Sequence, residues 1–237
     1  MGAIALIPAR LASSRFPRKV LASDTGRPLI AHVCECAAAS TRVERVVVAT
    51  DHESICEAVE AAGFVAIMTG PDHPNGTSRL AEAADRLELS DDQVVVNVQG
   101  DEPDLPAGPI DAVIDALGPG VSMATAAAPM RPGDTDNPNI VKVVLREDRR
   151  AMYFSRSRIP SEGPALRHAG LYAYRAGFLR TYARLSPTPL ERAERLEQLR
   201  ALEHGHDIAV AVLEFESIGI DTPEQYAAFV ERSRASG

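Results

Sequence analysis

Cysteine is scarce in this sequence, with three residues in 237: Cys34, Cys36 and Cys56. No two of them have the C-x-x-C spacing of a metal site, and three cysteines do not indicate a disulfide framework. Disulfides are rare in reducing compartments. We therefore expect three reduced, structural thiols and a cytoplasmic protein.

Long apolar runs are also missing. The longest unbroken run is Ile208–Leu213, far below the ~20 residues that span a bilayer. The start of the chain lacks a basic segment followed by an apolar stretch and a small-residue cleavage site, so we expect no signal peptide. These features predict a protein that works without a membrane partner.

Positive charge is in deficit, since 25 Lys and Arg face 33 Asp and Glu, for a formal net charge of −8 at pH 7. This balance argues against a protein held on nucleic acid by bulk electrostatics. Local basic clusters still have the chemistry to bind small polyanions. The 45% apolar and 24% charged residues are typical of a globular domain.

The first half of the chain alternates short Val- and Ile-rich runs with helical stretches. Such runs are typical of strands covered on both faces, and their alternation with helices indicates right-handed βαβ units. The predicted strands are 4–7, 45–49, 65–68 and 94–98, and the predicted helices are 28–39, 53–62 and 78–87. We predict an α/β fold with a mostly parallel central sheet flanked by helices.

The second half is less regular. Strands are predicted at 121–128, 140–145 and 171–174, with few helices between them, which favours some antiparallel pairing. No Pro-, Gly- or Ser-rich linker divides the chain. We therefore predict one domain over 1–237, with a small irregular and antiparallel excursion at about 125–180.

Two capping patterns predict late helices. Thr188-Pro189-Leu190-Glu191 fits a capping box with proline in the first turn. The apolar stripe that follows continues to Leu202 and predicts one helix that ends before Gly205. Thr222-Pro223-Glu224-Gln225 repeats the pattern before a final helix.

A basic segment follows the first predicted strand and runs from Pro8 to Lys19. It contains Arg10, Arg15, Arg18 and Lys19 but matches neither G-x-G-x-x-G nor the P-loop. Ligands of open α/β sheets bind outside the carboxyl ends of the strands, and Arg and Lys bind phosphate oxygens. The segment indicates a side-chain cradle for a triphosphate; the alternative is a solvated basic loop.

Two acids occupy positions that suit a metal site. Asp101 follows the fourth predicted strand, and Asp221 directly precedes the last helix. Mg²⁺ commonly takes one or two carboxylates together with substrate phosphate oxygens. The alternatives are a turn residue for Asp101 and a partner of the helix dipole for Asp221. Spacing alone does not bring the two acids together.

Three further polar groups leave binding and structural roles open. Asn75–Arg79 either caps a helix or contacts a nucleobase edge. Glu197 and Gln198 lie away from the leucine stripe, where solvated side chains are expected. Cations and hydrogen-bonding groups of the irregular half either receive an acidic, hydroxyl-rich ligand or form a charged rim: Arg156, Arg158, Arg167, His168, Tyr172 and Arg175.

An ordered set of short motifs runs almost from end to end of the chain. In order, they are Ile7-Pro8-Ala9-Arg10 through Lys19, Ala49-Thr50-Asp51-His52, Asn75-Gly76-Thr77-Ser78-Arg79-Leu80, Asn97 to Pro103, Asn137-Pro138-Asn139, Tyr153-Phe154-Ser155-Arg156, His168 to Tyr172, Leu196 to Arg200, and Gly219 to Pro223. Any one of them is weak evidence. In this order, the set resembles the CMP-Kdo synthetase family, the 3-deoxy-manno-octulosonate cytidylyltransferases.

This resemblance implies a Rossmann-like nucleotidyltransferase fold, a homodimer and Mg²⁺ as cofactor. It implies that CTP and the acidic sugar Kdo react to CMP-Kdo and diphosphate, which activates Kdo for lipopolysaccharide biosynthesis. Asp101 and Asp221 would hold the metal, and with Arg10 and Lys19 they would form the catalytic set. The nucleotide would contact Pro8, Ala9, Arg10, Ser14, Arg15, Lys19, Thr77, Ser78, Arg79 and Gln99. The sugar would contact Gln99, Arg156, His168, Tyr172, Glu197 and Gln198.

The chain departs from the family pattern at two places. Arg18 stands where the family usually has glycine, and the stretch between Ile159-Pro160 and His168 is short. The short stretch keeps open an enzyme for another ulosonic acid, either amino-substituted Kdo or a sialic-acid relative. A metal-dependent glycosyltransferase is a further alternative, although its Asp-x-Asp would here read Asp101-Glu102-Pro103. A non-catalytic nucleotide-binding module is the third.

Overall fold

The structure is a computed structural model that describes residues 2–13, 15–163 and 165–235. Its strands are β1 (Ala3–Ala9), β2 (Val43–Thr50), β3 (Val65–Met68), β4 (Val94–Asn97), β5 (Met123–Pro129), β6 (Lys142–Leu145), β7 (Ala151–Ser155), β8 (Leu166–Arg175) and β9 (Ala209–Val212). Its α-helices are α1 (Leu29–Ala38), α2 (Glu53–Ala61), α3 (Gly76–Arg86), α4 (Ala107–Asp115), α5 (Ala176–Arg184), α6 (Pro189–Glu194), α7 (Leu199–Glu203) and α8 (Pro223–Ala235). A 3₁₀ helix covers Lys19–Leu21.

The chain divides into two compact units. The first contains Met1–Leu89, Asn97–Gly108 and Glu216–Gly237, and the second contains Ser90–Val96 and Pro109–Phe215. Compactness does not establish independent folding, so one domain with an excursion at about 125–180 stays a prediction.

The first unit contains a parallel sheet in the order β3-β2-β1. Leu6 pairs with Val47, and both side chains are fully buried. Burial on both faces explains why these strands are unbroken runs of apolar residues and do not alternate apolar with polar residues. Helix α1 buries Ile30, Val33 and Cys34, spaced so that they lie on one face. The predicted strands and helices of this half are confirmed, with ends that differ by a few residues.

Helix α8 joins the C-terminal segment to the start of the first unit. Leu29, Ile220, Tyr226, Phe229 and Val230 form one buried cluster, against which Phe16 and Ala22 pack. The Tyr226 hydroxyl also accepts a hydrogen bond from the Asp24 backbone N–H at 2.8 Å. This cluster fixes the basic segment, through Phe16, beside the residues that lead into α8.

The second unit has strand order β4-β8-β5-β9, with β5 antiparallel to β8 and parallel to β9. Strand β6 pairs antiparallel with both β7 and β8. The Lys142 side chain is fully buried there, and its ammonium donates to the backbone carbonyls of Asn137, Ile140 and Arg156. The expected antiparallel pairing in this half is confirmed.

The fold is therefore α/β, with a mostly parallel, mixed sheet flanked by helices.

The three cysteines are free thiols, and burial raises the pKa of Cys34 to about 12 and that of Cys36 to about 11. Among the helices that the structure describes, none has the length and apolar character needed to cross a membrane.

The single late helix predicted from Thr188 is wrong. The Thr188 N–H donates to the Glu191 carboxylate at 3.2 Å, as in a capping box, but α6 ends at Glu194, and Arg195 adopts the left-handed conformation with φ 56°. The Leu196 N–H then bonds back to the Glu191 carbonyl at 3.2 Å, which closes the helix before α7 begins. As a result Gln198 is 5% exposed, so the expectation that it is solvated is also wrong.

Several elements of the second half were not anticipated from the sequence. These are β7, β9, α4 and α5. Strand β9 lies within the apolar run Ile208–Leu213, whose period alone does not separate strand from helix. Strand β8 also begins at Leu166, earlier than the predicted 171, because it pairs with most of β5.

Candidate active site

A cavity of about 300 Å³ opens in the first unit beyond the end of β1. Its lining comes from the basic segment, from the loop before α3 and the start of α3, from the segment after β4 and from the segment before α8. The lining residues are Pro8, Ala9, Arg10, Ala12, Ser13, Arg15, Lys19, Val20, His73, Pro74, Asn75, Gly76, Arg79, Gln99, Gly100, Asp101 and Asp221. The predicted nucleotide residue Ser14 lies outside the described residues.

Close backbone packing brings Asp101 to this cavity. A Cβ atom added at Gly100 would lie 2.8 Å from the backbone oxygen of Pro8, so the chain can pass there only without a side chain. The Ile220 N–H donates to the Asp101 carbonyl at 2.8 Å. The segment after β4 is thus held between the start of the basic segment and the residue that precedes Asp221.

The ammonium of Lys19 lies between the two predicted metal ligands. Lys19 Nζ is 2.7 Å from Asp101 Oδ2 and 3.3 Å from Asp221 Oδ1, and it also donates to the Ile220 carbonyl at 2.8 Å. The Lys19 side chain is 12% exposed, against 31% for Asp101 and 41% for Asp221. The structure therefore brings the two acids together, as the metal hypothesis requires.

Two arginines of the basic segment line the same cavity as this acid pair. Arg15 contacts Asp221 Oδ1 at 2.9 Å while its side chain stays 65% exposed. Arg10, Pro8 and Ala9 line the same cavity. With Lys19, the two arginines give the cavity the positive charge that a polyphosphate requires.

The donor chemistry of Asp101 and Asp221 fits Mg²⁺. Both offer hard carboxylate oxygens, and both contact the Lys19 ammonium, while Asp221 also contacts Arg15. Mg²⁺ usually needs only one or two protein carboxylates when substrate phosphates complete its coordination. Within the described residues, no group of three or more His, Cys, Asp and Glu residues forms a metal cluster. The two acids therefore do not form a metal site whose ligands all come from the protein.

Glu102, next to Asp101, has a different environment. It accepts a hydrogen bond from the Ser217 hydroxyl at 2.7 Å. Burial, reinforced by the Asp101 charge, raises the pKa of Glu102, while the Ser217 hydrogen bond opposes this shift. Glu102 thus holds the segment before α8 through Ser217, and we do not count it among the candidate metal ligands, which are Asp101 and Asp221.

The first turn of α3 holds the three residues predicted at the base end of the nucleotide, namely Thr77, Ser78 and Arg79. Arg79 lines the cavity, but its guanidinium donates to Asp51, Thr69 and the Gly70 carbonyl. The Ser78 hydroxyl donates to the Asn75 carbonyl at 3.0 Å, and Thr77 is 7% exposed. Thr77 and Ser78 are outside the cavity lining, so side-chain contacts of these two with a base stay a prediction.

His73 lines the cavity and was not anticipated from the sequence. Its ring bonds Glu82 on one side and lies 3.1 Å from the Ser78 hydroxyl on the other. Burial alone would raise the pKa of Glu82, but hydrogen bonds from the Gly70 N–H, His73 and Arg86 lower it to about 2. The ionised Glu82 anchors the loop that forms this wall. The sequence feature that could have pointed to His73 is its position two residues before Asn75, the N-cap of α3.

A second cavity, of about 320 Å³, opens in the second unit. Three predicted sugar residues line it, namely His168, Tyr172 and Gln198, together with Asn139 and Arg167 among others. Burial lowers the pKa of His168 to about 3, so its ring is neutral near pH 7. Burial, with a smaller contribution from the Glu197 charge, raises the pKa of Tyr172.

Gln198 has an amide group that suits a ligand. Its Nε2 atom is buried and has no hydrogen-bond partner in the protein. A buried donor left unpaired costs about 1–3 kcal/mol, so such groups in native proteins commonly mark a position that a ligand or water completes.

The other predicted sugar residues are placed differently. Gln99 lines the cavity of the first unit. Arg156 is absent from the second-unit lining; its backbone N–H and Nε donate to Glu194, and its Nη1 donates to the Pro138 carbonyl. Glu197 is also absent from that lining, and its carboxylate lies 3.8 Å from Arg200. Sugar contacts for these three residues stay a prediction.

Comparison with known proteins gives consistent matches. A family model described as a cytidylyltransferase matches residues 4–208. The solved structure of a CMP:2-keto-3-deoxy-manno-octonic acid synthetase complexed with CTP is 35% identical, with a TM-score of 0.94, and the match covers 100% of both chains. A cytidylyltransferase from Leptospira borgpetersenii serovar Hardjo-bovis (strain JB197) is 17% identical, with a TM-score of 0.63 over 97% of this chain and 86% of that chain. At that identity the second match shows a common fold only.

Proposed function

The chain belongs to the cytidylyltransferase family, and from this premise we propose that it is an Mg²⁺-dependent enzyme that joins CTP and Kdo to give CMP-Kdo and diphosphate. The observation that carries the proposal is the Lys19 ammonium held by Asp101 and Asp221 in a cavity lined by Arg10 and Arg15. That arrangement offers carboxylates for a metal and cations for a triphosphate in one place. The similarity to a synthetase complexed with CTP supports the choice of substrates.

The cavity of the first unit takes CTP. Arg10, Arg15 and Lys19 bind the triphosphate oxygens, and the loop held by Glu82 and Arg79 forms the wall toward the base. These cations offset the negative charge of the nucleotide, which would otherwise repel a negatively charged sugar acid. Gln99, in the same lining, has an amide that can bond either substrate.

Asp101 and Asp221 would hold Mg²⁺, which would supply charge stabilisation at the phosphates and a lower pKa for the attacking hydroxyl. The hydrogen bond from the Ile220 N–H to the Asp101 carbonyl holds the segments of the two acids next to each other. Lys19 adds a third positive contact to the departing diphosphate.

The cavity of the second unit takes the sugar acid. Its neutral His168, the Tyr172 hydroxyl and the unpaired Nε2 of Gln198 suit the hydroxyl groups of an ulosonic acid. Neutral donors and acceptors can distinguish hydroxyl positions because a missing partner leaves a buried group unpaired.

The reaction needs no nucleophilic side chain. The anomeric hydroxyl of the sugar attacks the α-phosphorus, a new P–O bond forms to the sugar, the bond to the β-phosphate oxygen breaks, and diphosphate leaves. The hydroxyl proton passes to solvent. Positioning and charge stabilisation are the main tasks of the protein in such phosphoryl-group transfers.

The cellular setting is also a proposal. The family resemblance supports a homodimer that works in the cytoplasm and supplies CMP-Kdo for lipopolysaccharide biosynthesis. The three free thiols suit a reducing compartment.

A substrate panel tests the proposed function. Diphosphate release is measured with each of CTP, UTP, ATP and GTP, and with Kdo, amino-substituted Kdo and a sialic acid, in the presence of Mg²⁺ and of EDTA. We expect release with CTP, Kdo and Mg²⁺ together. If another sugar acid reacts while Kdo does not, that acid is the substrate instead of Kdo. We include the other acids because the segment before His168 is short. Absence of diphosphate release from every pair would overturn the proposal.

A further inference from the structure

The three N–H donors of the Lys19 ammonium are all used inside the protein. They bond Asp101 at 2.7 Å, the Ile220 carbonyl at 2.8 Å and Asp221 at 3.3 Å. An ammonium has three donors and no more. Lys19 therefore has no donor left for a phosphate unless it gives up a bond to one of the acids.

The same three contacts determine the charge at the acid pair. With 12% of its side chain exposed, Lys19 is the most buried cation at these acids, whereas Arg15, at 65% exposure, forms a solvated ion pair worth little energy. The Lys19 charge thus balances one of the two carboxylates. A divalent cation that approached both oxygens would meet the ammonium in its place.

The backbone at Lys19 is held by contacts that do not involve its ammonium. The Lys19 N–H bonds the Phe16 carbonyl at 3.3 Å, and the Phe16 ring packs on Tyr226 with centroids 5.5 Å apart. Movement of the ammonium from the acids to a ligand is therefore a rotation of the four-carbon side chain and requires no rearrangement of the fold.

We propose that Lys19 is an internal counter-ion that competes with the divalent cation for Asp101 and Asp221, so that a triphosphate, by drawing the ammonium away, prepares the acid pair for the metal. This inference rests on the proposed function, since it concerns the order in which that site binds nucleotide and metal. Metal and nucleotide then bind with positive coupling, which by thermodynamic linkage is the same in both directions.

The competition predicts opposite effects of one substitution on two ligands. Lys19→Met removes the ammonium but keeps an unbranched side chain of similar length. Without it, Mn²⁺ should bind the nucleotide-free enzyme at least about tenfold more tightly, since a tenfold change is the scale of one partly screened ionic contact. Metal-free CTP should bind about tenfold more weakly, because a phosphate contact is lost.

Two titrations on the full chain measure these effects. Mn²⁺ binding is followed by the electron paramagnetic resonance signal of free Mn²⁺ without nucleotide, and CTP binding by calorimetry in EDTA. The matched control is Arg10→Met, which removes one positive charge from the same cavity. It should weaken CTP binding but change Mn²⁺ affinity by less than about threefold, since the Arg10 side chain is exposed and solvent screens its charge.

Each outcome decides one question. Tighter Mn²⁺ binding by Lys19→Met that disappears in the Lys19→Met, Asp101→Asn double variant supports the inference. Unchanged or weaker Mn²⁺ binding overturns it, as does a gain that survives Asp101→Asn. Lys19→Gln gives the same test if the methionine variant does not fold. Failure of the wild-type chain to bind CTP would instead overturn the proposed function.

Discussion

The Arg79 guanidinium donates to the Asp51 carboxylate at 2.8 Å, with 4% of the Arg79 side chain and 18% of the Asp51 side chain exposed. The same guanidinium donates to the Thr69 hydroxyl at 2.6 Å. Arg79 therefore ties α3 to the ends of β2 and β3. Its contribution to the cavity is to hold the wall in place.

A double-mutant cycle tests this pair. Arg79→Met and Asp51→Asn should each lower the free energy of unfolding by about 2–4 kcal/mol, because each leaves a buried charge without its partner. The double variant should cost less than the two together. Urea unfolding of the four proteins measures this, and strict additivity would show that the ion pair contributes nothing.

Asp101→Asn should lower kcat for diphosphate release by about 100-fold or more, the scale of losing one electrostatic group at a reacting centre. The fold should survive, since Lys19 keeps the Ile220 carbonyl and Asp221 as acceptors. Asp104→Asn is the matched control, because Asp104 lies in the same segment but pairs with Arg232. Near-normal turnover by Asp101→Asn would count against a metal ligand at this position.

Gln198→Met should separate binding from stability. It replaces a side chain whose buried Nε2 is unpaired by an apolar group of similar shape, so the thermal midpoint should stay the same or rise. The KM for the sugar acid should rise about tenfold, the loss expected for one hydrogen bond to substrate, while the KM for CTP stays within about twofold. A destabilised variant with an unchanged sugar KM would assign Gln198 a structural role instead.

Glu82→Gln should destabilise the protein in a pH-dependent way. The pKa of Glu82 is lowered to about 2 in the folded chain, so its stabilisation is present above its ordinary pKa and is lost as the pH falls toward 2. We expect Glu82→Gln to cost about 1–2 kcal/mol at pH 7 and markedly less at pH 3. Urea unfolding at both pH values measures this. Glu57→Gln on the exposed face of α2 is the control, and an equal cost at both pH values would contradict the prediction.

Arg18 adopts φ 57° and ψ 23°, the left-handed region that favours glycine. This conformation gives a reason for the glycine that the family usually has before the loop lysine. Arg18→Gly and Arg18→Ala remove the same charge, but the glycine variant should be about 1 kcal/mol more stable, because alanine keeps the strain of Cβ. Equal thermal unfolding of the two variants would show that the strain is released elsewhere.

The first half of the fold follows closely from local pattern. Val46, Val47 and Val48 are buried within β2, and Asn75 caps α3 by accepting from the Ser78 N–H at 2.8 Å. Such signals act over a few residues, so a single sequence is enough to locate them. The late helix predicted from Thr188 was wrong because one left-handed residue, Arg195, divides a stripe that reads as a continuous helix.

The site was predicted in part. Arg10, Arg15, Lys19, Asp101 and Asp221 were among the predicted site residues and line one cavity, and the roles assigned to them stay predictions. The engagement of Arg79 with Asp51, the burial of Gln198 and the position of His73 beside Glu82 depend on packing between distant segments, so local pattern did not reveal them.

The sequence by itself determined the alternation of strands and helices, the positive charge after β1 and the acids at the two segment ends, because each is a matter of residue type and local spacing. The tertiary structure alone decided that Lys19 meets Asp101, 82 positions away, and Asp221, 202 positions away. Those contacts arise from the buried cluster around Tyr226 and from the close passage of Gly100 past Pro8. Packing of this kind is a property of the assembled core and has no local signature in the chain.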